Sequence, residues 1–425
     1  MAFVRNVGRG FFPLDEELGL LPGILTPHGH ECLVRLSSWV PFAKAAEMLE
    51  DFMGIRVSKG VSRRYTQAAG AAYEQMQNEE VERLEKEMPV AEKGADKLQI
   101  SADGAMVPLL HGVWAEVRTL VIGEVQPAVE EKGEKVVHAR NLSYFSRKVN
   151  AQEFQRLALV EMHRRGVENA KEVAAIMDGA DWEQSFTDYH CPQATRILDF
   201  PHAAEHVNGI GEFLHGEHTP ENQAWLKERL HRLKHEGPEK LLLEFQSLQQ
   251  QYPESQAISG NLAYLEKRKQ QMQYPLFQAQ GWPIGSGIVE SGNKLVVEAR
   301  LKGAGMHCRL APSCSRHERW AEEQVNPMLA LRNIICSDRW KEKWPKIETR
   351  LRQQTRQRRN RLHQARITIP PPTPSSSSPN MDARFMHALA TGFEQQNSPK
   401  KPKANPWRNF KHGKALYQRT NPPKK

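Results

Sequence analysis

Long apolar runs are missing from this 425-residue chain. No stretch approaches the ~20 consecutive apolar residues that a membrane-spanning helix needs, so a membrane partner is not expected. The opening residues, Met1-Ala-Phe-Val-Arg5, lack the apolar centre of a secretory signal. A cytoplasmic protein is expected. Cysteine is scarce: five residues, at 32, 191, 308, 314 and 336. Their odd number and scattered placement argue against a disulfide framework. No HExxH pair is present. His307, Cys308, Cys314 and His317 are too irregularly spaced for a zinc site, and the i, i+4 histidines 202 and 206 lack an evident third ligand. The run from Gly287 to Lys294 misses the phosphate-loop pattern, having an extra residue before the lysine and no Ser/Thr after it. There is no internal repeat.

Charge is plentiful and unevenly divided. The net charge is +9, with 59 basic and 50 acidic residues. From residue 346 onward the chain carries 18 Lys and Arg against three Asp and Glu, leaving 41 basic and 47 acidic residues in the body. A basic arm neutralises phosphates and gives salt-sensitive, sequence-independent affinity for nucleic acid, and a merely solubilising tail has the same composition. The segment Pro370-Pro-Pro-Thr-Pro-Ser-Ser-Ser-Ser-Pro cannot bury a core. The length predicts two to three domains. The composition shifts place boundaries as an N-terminal helical region (1–95), a core (96–204), a helical insertion (205–280), a second part of the core (281–345) and a disordered basic tail (346–425).

The N-terminal region reads as helical. Phe42, Ala45, Ala46, Leu49 and Phe52 recur at helical spacing, Gly54 stops that helix, and Ser58 caps the next. The second helix presents Lys59, Arg63 and Arg64 early. A helix, a short turn and a basic helix form a candidate helix-turn-helix, in which these cations would meet DNA. An ordinary helical hairpin gives the same pattern.

Residues 97–199 change period. Strands are expected at Leu98–Ala102, Val113–Val125, Val136–Phe145, Val173–Met177 and Thr195–Leu198. An amphipathic helix, Ala151–Arg165, falls between the third and fourth. Three strands, a helix, a strand, a helix and a strand make an α/β fold with a mixed sheet. This is the element order of the ribonuclease H-like fold, in which acids at the ends of the first and fourth strands are neighbours. Residues 205–279 are helical and polar, with Trp225, Leu226, Leu230, Leu233, Leu241, Leu242 and Phe245 as the buried stripe, and form an all-helical insertion.

Three acids occupy settings suited to catalysis. Asp103 closes the first strand run and precedes Gly104. Asp178 closes the fourth and precedes Gly179. Glu290 follows the turn Gly285-Ser286-Gly287 and opens a helix bearing Asn293, Lys294, Arg300 and Lys302. Each Asp-Gly pair alone reads as a turn former, and Glu290 alone as a first-turn acid favoured by the helix dipole. Together, Asp103, Asp178 and Glu290 are the oxygen ligands expected for two Mg²⁺ or Mn²⁺ ions, which stabilise the attacking and leaving oxygens of a phosphodiester. Lys294, Arg300 and Lys302 are candidate phosphate contacts. Asp199, with His202 three residues on, is the rival second acid. Asp178 is preferred because it closes the strand that follows the helix.

The stretches Phe11-Phe-Pro-Leu-Asp-Glu-Glu-Leu-Gly-Leu, Ser101-Ala-Asp-Gly-Ala, Met177-Asp-Gly-Ala-Asp-Trp, Ile197-Leu-Asp-Phe-Pro-His-Ala-Ala-Glu-His, Gly285-Ser-Gly-Ile-Val-Glu-Ser-Gly-Asn-Lys and Asn326-Pro-Met-Leu-Ala-Leu-Arg-Asn extend over most of residues 10–335. In these the chain resembles the ISKra family of bacterial insertion-sequence transposases, within the Mutator-like DDE group. The resemblance implies a ribonuclease H-like core with a helical insertion between the second and third acids, and Asp103, Asp178 and Glu290 as the catalytic triad. It further implies Asp199 and His202 as the group's Asp-x-x-His signature. The expected function is DNA cleavage and strand transfer at the ends of an insertion sequence, by a homo-oligomer that holds element ends and target DNA. Two departures are expected to matter. A cysteine-rich module does not precede Phe11, and about 12 residues, Cys308 to Arg319, separate Met306-His307 from Trp320, an insertion a loop absorbs at modest entropic cost.

Overall fold

Capping chemistry sets the first helices. The computed structural model describes residues 24–91, 94–131, 134–303 and 320–367. Helix α1 (Pro27–Trp39) begins where Thr26 Oγ1 accepts from the Gly29 amide at 3.2 Å. Helix α2 (Phe42–Met53) stops at Gly54, whose φ of +66° is the left-handed cap that glycine adopts without strain. Helix α3 (Lys59–Glu87) begins with Ser58 Oγ accepting from the Val61 amide at 3.2 Å. The expected stop and cap both stand where the sequence places them. Phe52 does not join the apolar stripe and is exposed.

These helices bury their apolar faces against the far end of the chain. Leu33, Val34, Leu49, Tyr65 and Tyr73 share a core with Leu331, Ile334, Trp340, Trp344 and Ile347. The latter belong to two late helices (Glu322–Cys336 and Trp340–Ile367). A Cβ at Gly70 would collide with the Pro327 backbone, so α3 and the first of these helices touch where a side chain is absent. The N-terminal helices among residues 24–91 thus share a core with the two late helices, and the expected line at 345/346 falls within a helix that continues to Ile367, because Trp340, Trp344, Ile347 and Leu351 supply an apolar stripe. The tail beyond 367, the Phe11–Leu20 run and the 308–319 insertion lie outside the described residues.

The sheet is mixed. Strands β1 (Lys97–Pro108), β2 (Trp114–Val125), β5 (Ala139–Arg147), β6 (Glu172–Met177) and β7 (Thr195–Leu198) take the order β5-β2-β1-β6-β7. The pairs β1–β2 and β2–β5 are antiparallel, and β1–β6 and β6–β7 are parallel. A small hairpin, β3 (Val129–Glu131) with β4 (Glu134–Val136), precedes the strand expected from Val136, which begins instead at Ala139. Side-chain alternation gives the sheet two apolar faces. Leu98, Ile100, Leu120 and Ile122 face helices α4 (Ala151–Arg164) and α5 (Asp181–His190) through Phe154, Leu157 and Phe186. Val107, Val117 and Val121 face Val289, Val296, Val297 and Leu329.

After β7 come α6 (Phe200–His215), α7 (Pro220–Glu236), α8 (Glu239–Gln251), α9 (Gln256–Lys267) and α10 (Tyr274–Ala279). Leu233, Leu241, Leu242 and Phe245 are buried as expected, and they share a core with Ile176, Ile197 and Leu198 of the sheet. Helix α11 (Gly287–Gly292) passes directly into a π-helical stretch, Asn293–Glu298, and a last α-turn, Ala299–Leu301. The two late helices are α12 (Glu322–Cys336) and α13 (Trp340–Ile367). Among the described residues no helix is long and apolar enough to cross a membrane.

Candidate metal centre

Parallel pairing brings the first two acids level. Ile100 of β1 lies opposite Ala175 of β6. Three residues further along each chain stand Asp103 and Asp178. Asp103 lies inside β1 rather than at its end, because β2 pairs with β1 as far as Pro108 and overrides the turn tendency of Asp-Gly. Its Oδ1 accepts from the Gly104 amide at 2.6 Å, and its Oδ2 accepts from Asn293 Nδ2 at 2.8 Å. Asp178 follows the last residue of β6, as expected. Its Oδ1 accepts from the Ala180 amide at 2.8 Å, across a turn that Gly179 permits with φ +87°.

A third carboxyl, Glu183, completes the group. It projects from the first turn of α5, and its Oε2 accepts from the Gly179 amide at 3.1 Å. One carboxylate oxygen each from Asp103, Asp178 and Glu183 lies within 4.8 Å of the other two. Burial pushes Glu183 up to about 10, helped by a hydrogen bond to Asp178 and by the charges of Asp178 and Asp103. Burial also raises Asp103, with further push from Asp178 and Glu290 and opposition from the Gly104 amide and Asn293. None of the three carboxyls forms an ion pair with a lysine or arginine among the described residues. Three crowded oxygen donors without a protein cation fit a hard divalent ion, which would relieve their repulsion. The group can hold a metal ion.

Glu290 stands apart from this tight group. It is exposed on the first turn of α11, near enough to raise Asp103, and three residues before the Asn293 that binds Asp103. Asp199 is not in the group either. It is 4% exposed and caps α6, with Oδ2 accepting from the His202 amide at 3.1 Å. Its Oδ1 accepts from the Ser286 amide at 2.6 Å, which ties the turn before α11 to the end of β7. Asp199 thus tethers the start of the insertion to the turn before the helix carrying Glu290. His202 Nδ1 lies 3.4 Å from Glu205, and His206 bonds Asn261 at 2.8 Å and stacks on Tyr264. The metal-competent group found among the described residues contains no histidine.

The expected DNA contacts divide. Arg63 and Arg64 are exposed, Lys59 is half-buried at the start of α3, and Lys294 is exposed. Arg300 is not a phosphate contact. It is fully buried, donates to the Ser37 carbonyl at 2.9 Å and lies over the rings of Phe42 and Trp320. Its position falls on the apolar stripe of Val296, Val297 and Leu301, so helical spacing carries it inward. Lys302 is paired with Glu298 at 2.7 Å on its own helix. Helix α13 presents Arg352, Arg356, Arg358 and Arg359 as exposed residues in place of the expected disordered start of the tail.

Glu183 escaped the sequence reading, as did Tyr264 and Arg268, which bind the Asp178–Gly179 turn from the insertion. Glu183 shares a face with Phe186, Thr187 and His190, and that spacing was the available signal. No protein-family model matches this chain, and no curated protein matches its sequence.

Proposed function

We propose that this protein is a DNA transposase of the insertion-sequence type, built on a ribonuclease H-like core. The carrying observation is the meeting of Asp103, Asp178 and Glu183, none of them ion-paired to a lysine or arginine among the described residues. The sheet order, with three antiparallel strands joined through β1 to two parallel ones, supports the core assignment. Asp103 and Asp178 are the residues that would hold Mg²⁺ or Mn²⁺, two ions in all, with Glu290 approaching from α11. Bound ions would supply Lewis-acid stabilisation of the attacking and leaving oxygens. In the metal-free protein Glu183, raised by burial, hydrogen-bonds to Asp178 and restricts how that carboxylate turns. Asn293 does the same for Asp103.

Cleavage by water at an element end breaks a P–O bond and frees a 3′-hydroxyl. That hydroxyl then attacks a phosphodiester of target DNA, and both displacements use the one site. Lys59, Arg63, Arg64, Lys294 and the exposed arginines of α13 are the cations available to double-stranded DNA. Holding two ends together calls for a homo-oligomer on DNA. The test is incubation of the full chain with supercoiled plasmid and a 3′-hydroxyl oligonucleotide. Mg²⁺-dependent joining of the oligonucleotide to plasmid is the expected result, lost in Asp103→Asn. Nicking without joining would make the protein a nuclease, and DNA binding without nicking would leave a non-catalytic remnant.

A further inference from the structure

Tyr264 lies in the last turn of α9, and Arg268 is the residue just past that helix, four positions beyond Tyr264. Both reach from the insertion to the same turn. The Tyr264 hydroxyl donates to the Asp178 carbonyl oxygen. Arg268 Nε donates to the Gly179 carbonyl oxygen at 3.0 Å, and Nη2 shares that acceptor. The Arg268 guanidinium lies 3.6 Å from the centre of the Tyr264 ring, and His206 of α6 stacks on the same ring at 3.7 Å and 15°. Arg268 is only 7% exposed. A Cβ at Gly179 would stand 2.8 Å from the Tyr264 hydroxyl, so the clamp fills the space a side chain would take.

A buried guanidinium needs good acceptors, and besides the Tyr264 carbonyl at 3.3 Å the acceptor of Arg268 is the Gly179 carbonyl, one residue past Asp178. The carboxylate of Asp178 is held on its other side by the Ala180 amide. The backbone that aims it is therefore set by residues 86 and 89 positions away in sequence, in the insertion. We infer that Tyr264 and Arg268 are positioning residues for Asp178, and that the helical insertion thereby sets the metal affinity of the centre. This rests on the metal reading above. Groups that orient a ligand without touching the ion tune affinity by about 10-fold or more.

The test is Mn²⁺ binding to the full chain, followed by water-proton relaxation, with thermal melting in parallel. Tyr264→Phe deletes one hydroxyl and keeps the ring stack. Arg268→Lys keeps the charge and loses the fork. Tyr274→Phe is the control, because its hydroxyl bonds the Leu198 carbonyl at 3.0 Å within the same insertion. Expected is a rise of about 10-fold in the Mn²⁺ dissociation constant for Tyr264→Phe and Arg268→Lys, with Tyr274→Phe within about twofold of the wild type. Either clamp variant binding Mn²⁺ as the wild type does overturns the inference, and so does an equal loss in Tyr274→Phe, which would mark general loosening. A wild-type chain that binds no Mn²⁺, or one whose binding survives Asp103→Asn unchanged, overturns the metal reading and the inference with it.

Discussion

Glu161 and Glu183 sit on α4 and α5, which cover the same face of the sheet, and they are 2% and 1% exposed. Their protons behave oppositely. Burial pushes Glu161 up, but Arg339 and Arg164 outweigh it and hold the group at about 2. Burial pushes Glu183 to about 10, and its carboxylate neighbours push the same way. Equal burial with opposite outcome shows that the partner decides the charge state. Buried cations elsewhere are likewise answered. Arg332 donates to the Ser38 and Val296 carbonyls at 3.0 and 3.2 Å. Glu161 and Arg332 are met by opposite charge or by carbonyl acceptors, whereas Asp103, Asp178 and Glu183 crowd together without such partners, an arrangement that costs stability.

The largest test of this contrast is Asp103→Asn. Mg²⁺-dependent nicking should fall to background, while the metal-free protein melts at a higher temperature than the wild type, because like-charge repulsion is relieved. A fall in melting temperature would break the comparison. Glu161→Gln should do the reverse, leaving activity per folded molecule intact and costing about 3 kcal/mol in urea unfolding, since Arg339 is stranded in the interior. Glu183→Gln removes a carboxyl that must take up a proton on folding at any pH above 4.5, so it should stabilise the protein at neutral pH, by about 3 kcal/mol, and leave stability near pH 4 almost unchanged.

Melting temperature against pH sharpens the contrast further. Glu161, depressed from 4.5 to about 2, contributes stability that is full above 4.5 and is lost as pH falls toward 2. Glu183, raised from 4.5 to about 10, holds a proton that the unfolded chain releases, so its effect is to weaken the fold as pH rises from 4.5 to 10. The Glu183→Gln variant should flatten the alkaline limb and leave the acid limb alone. The smallest effect concerns exposed charge: Arg63→Ala with Arg64→Ala should lower the salt slope of DNA binding by about 2 without changing the melting temperature.

Local signals made much of the fold legible. Gly54 and Ser58 mark a stop and a start that depend on backbone geometry within a few residues. The strand Thr195–Leu198 and the helix Ala151–Arg164 follow from period and length. Asp103 and Asp178 were readable because strand order makes them neighbours. What escaped depends on distant partners. Glu183 looks like any acid of a first helical turn until Phe186 and Thr187 are seen to carry its face inward. Arg300 looks like a surface cation until Phe42 and Trp320 close over it. The helix Trp340–Ile367 was hidden by its arginines, since its apolar stripe is completed by helices from the other end of the chain.

That last arrangement bears on how the protein comes to be folded. Ribosomes make α1 to α3 early, yet a bond such as Gln67 to the Gln324 carbonyl joins positions 257 residues apart. Until α12 and α13 emerge, the first three helices have oily flanks and no cover, a state open to chaperones and to clumping. Assembly therefore finishes at the opposite end from where synthesis began, and a prematurely terminated polypeptide should be cleared rather than persist as a smaller folded form.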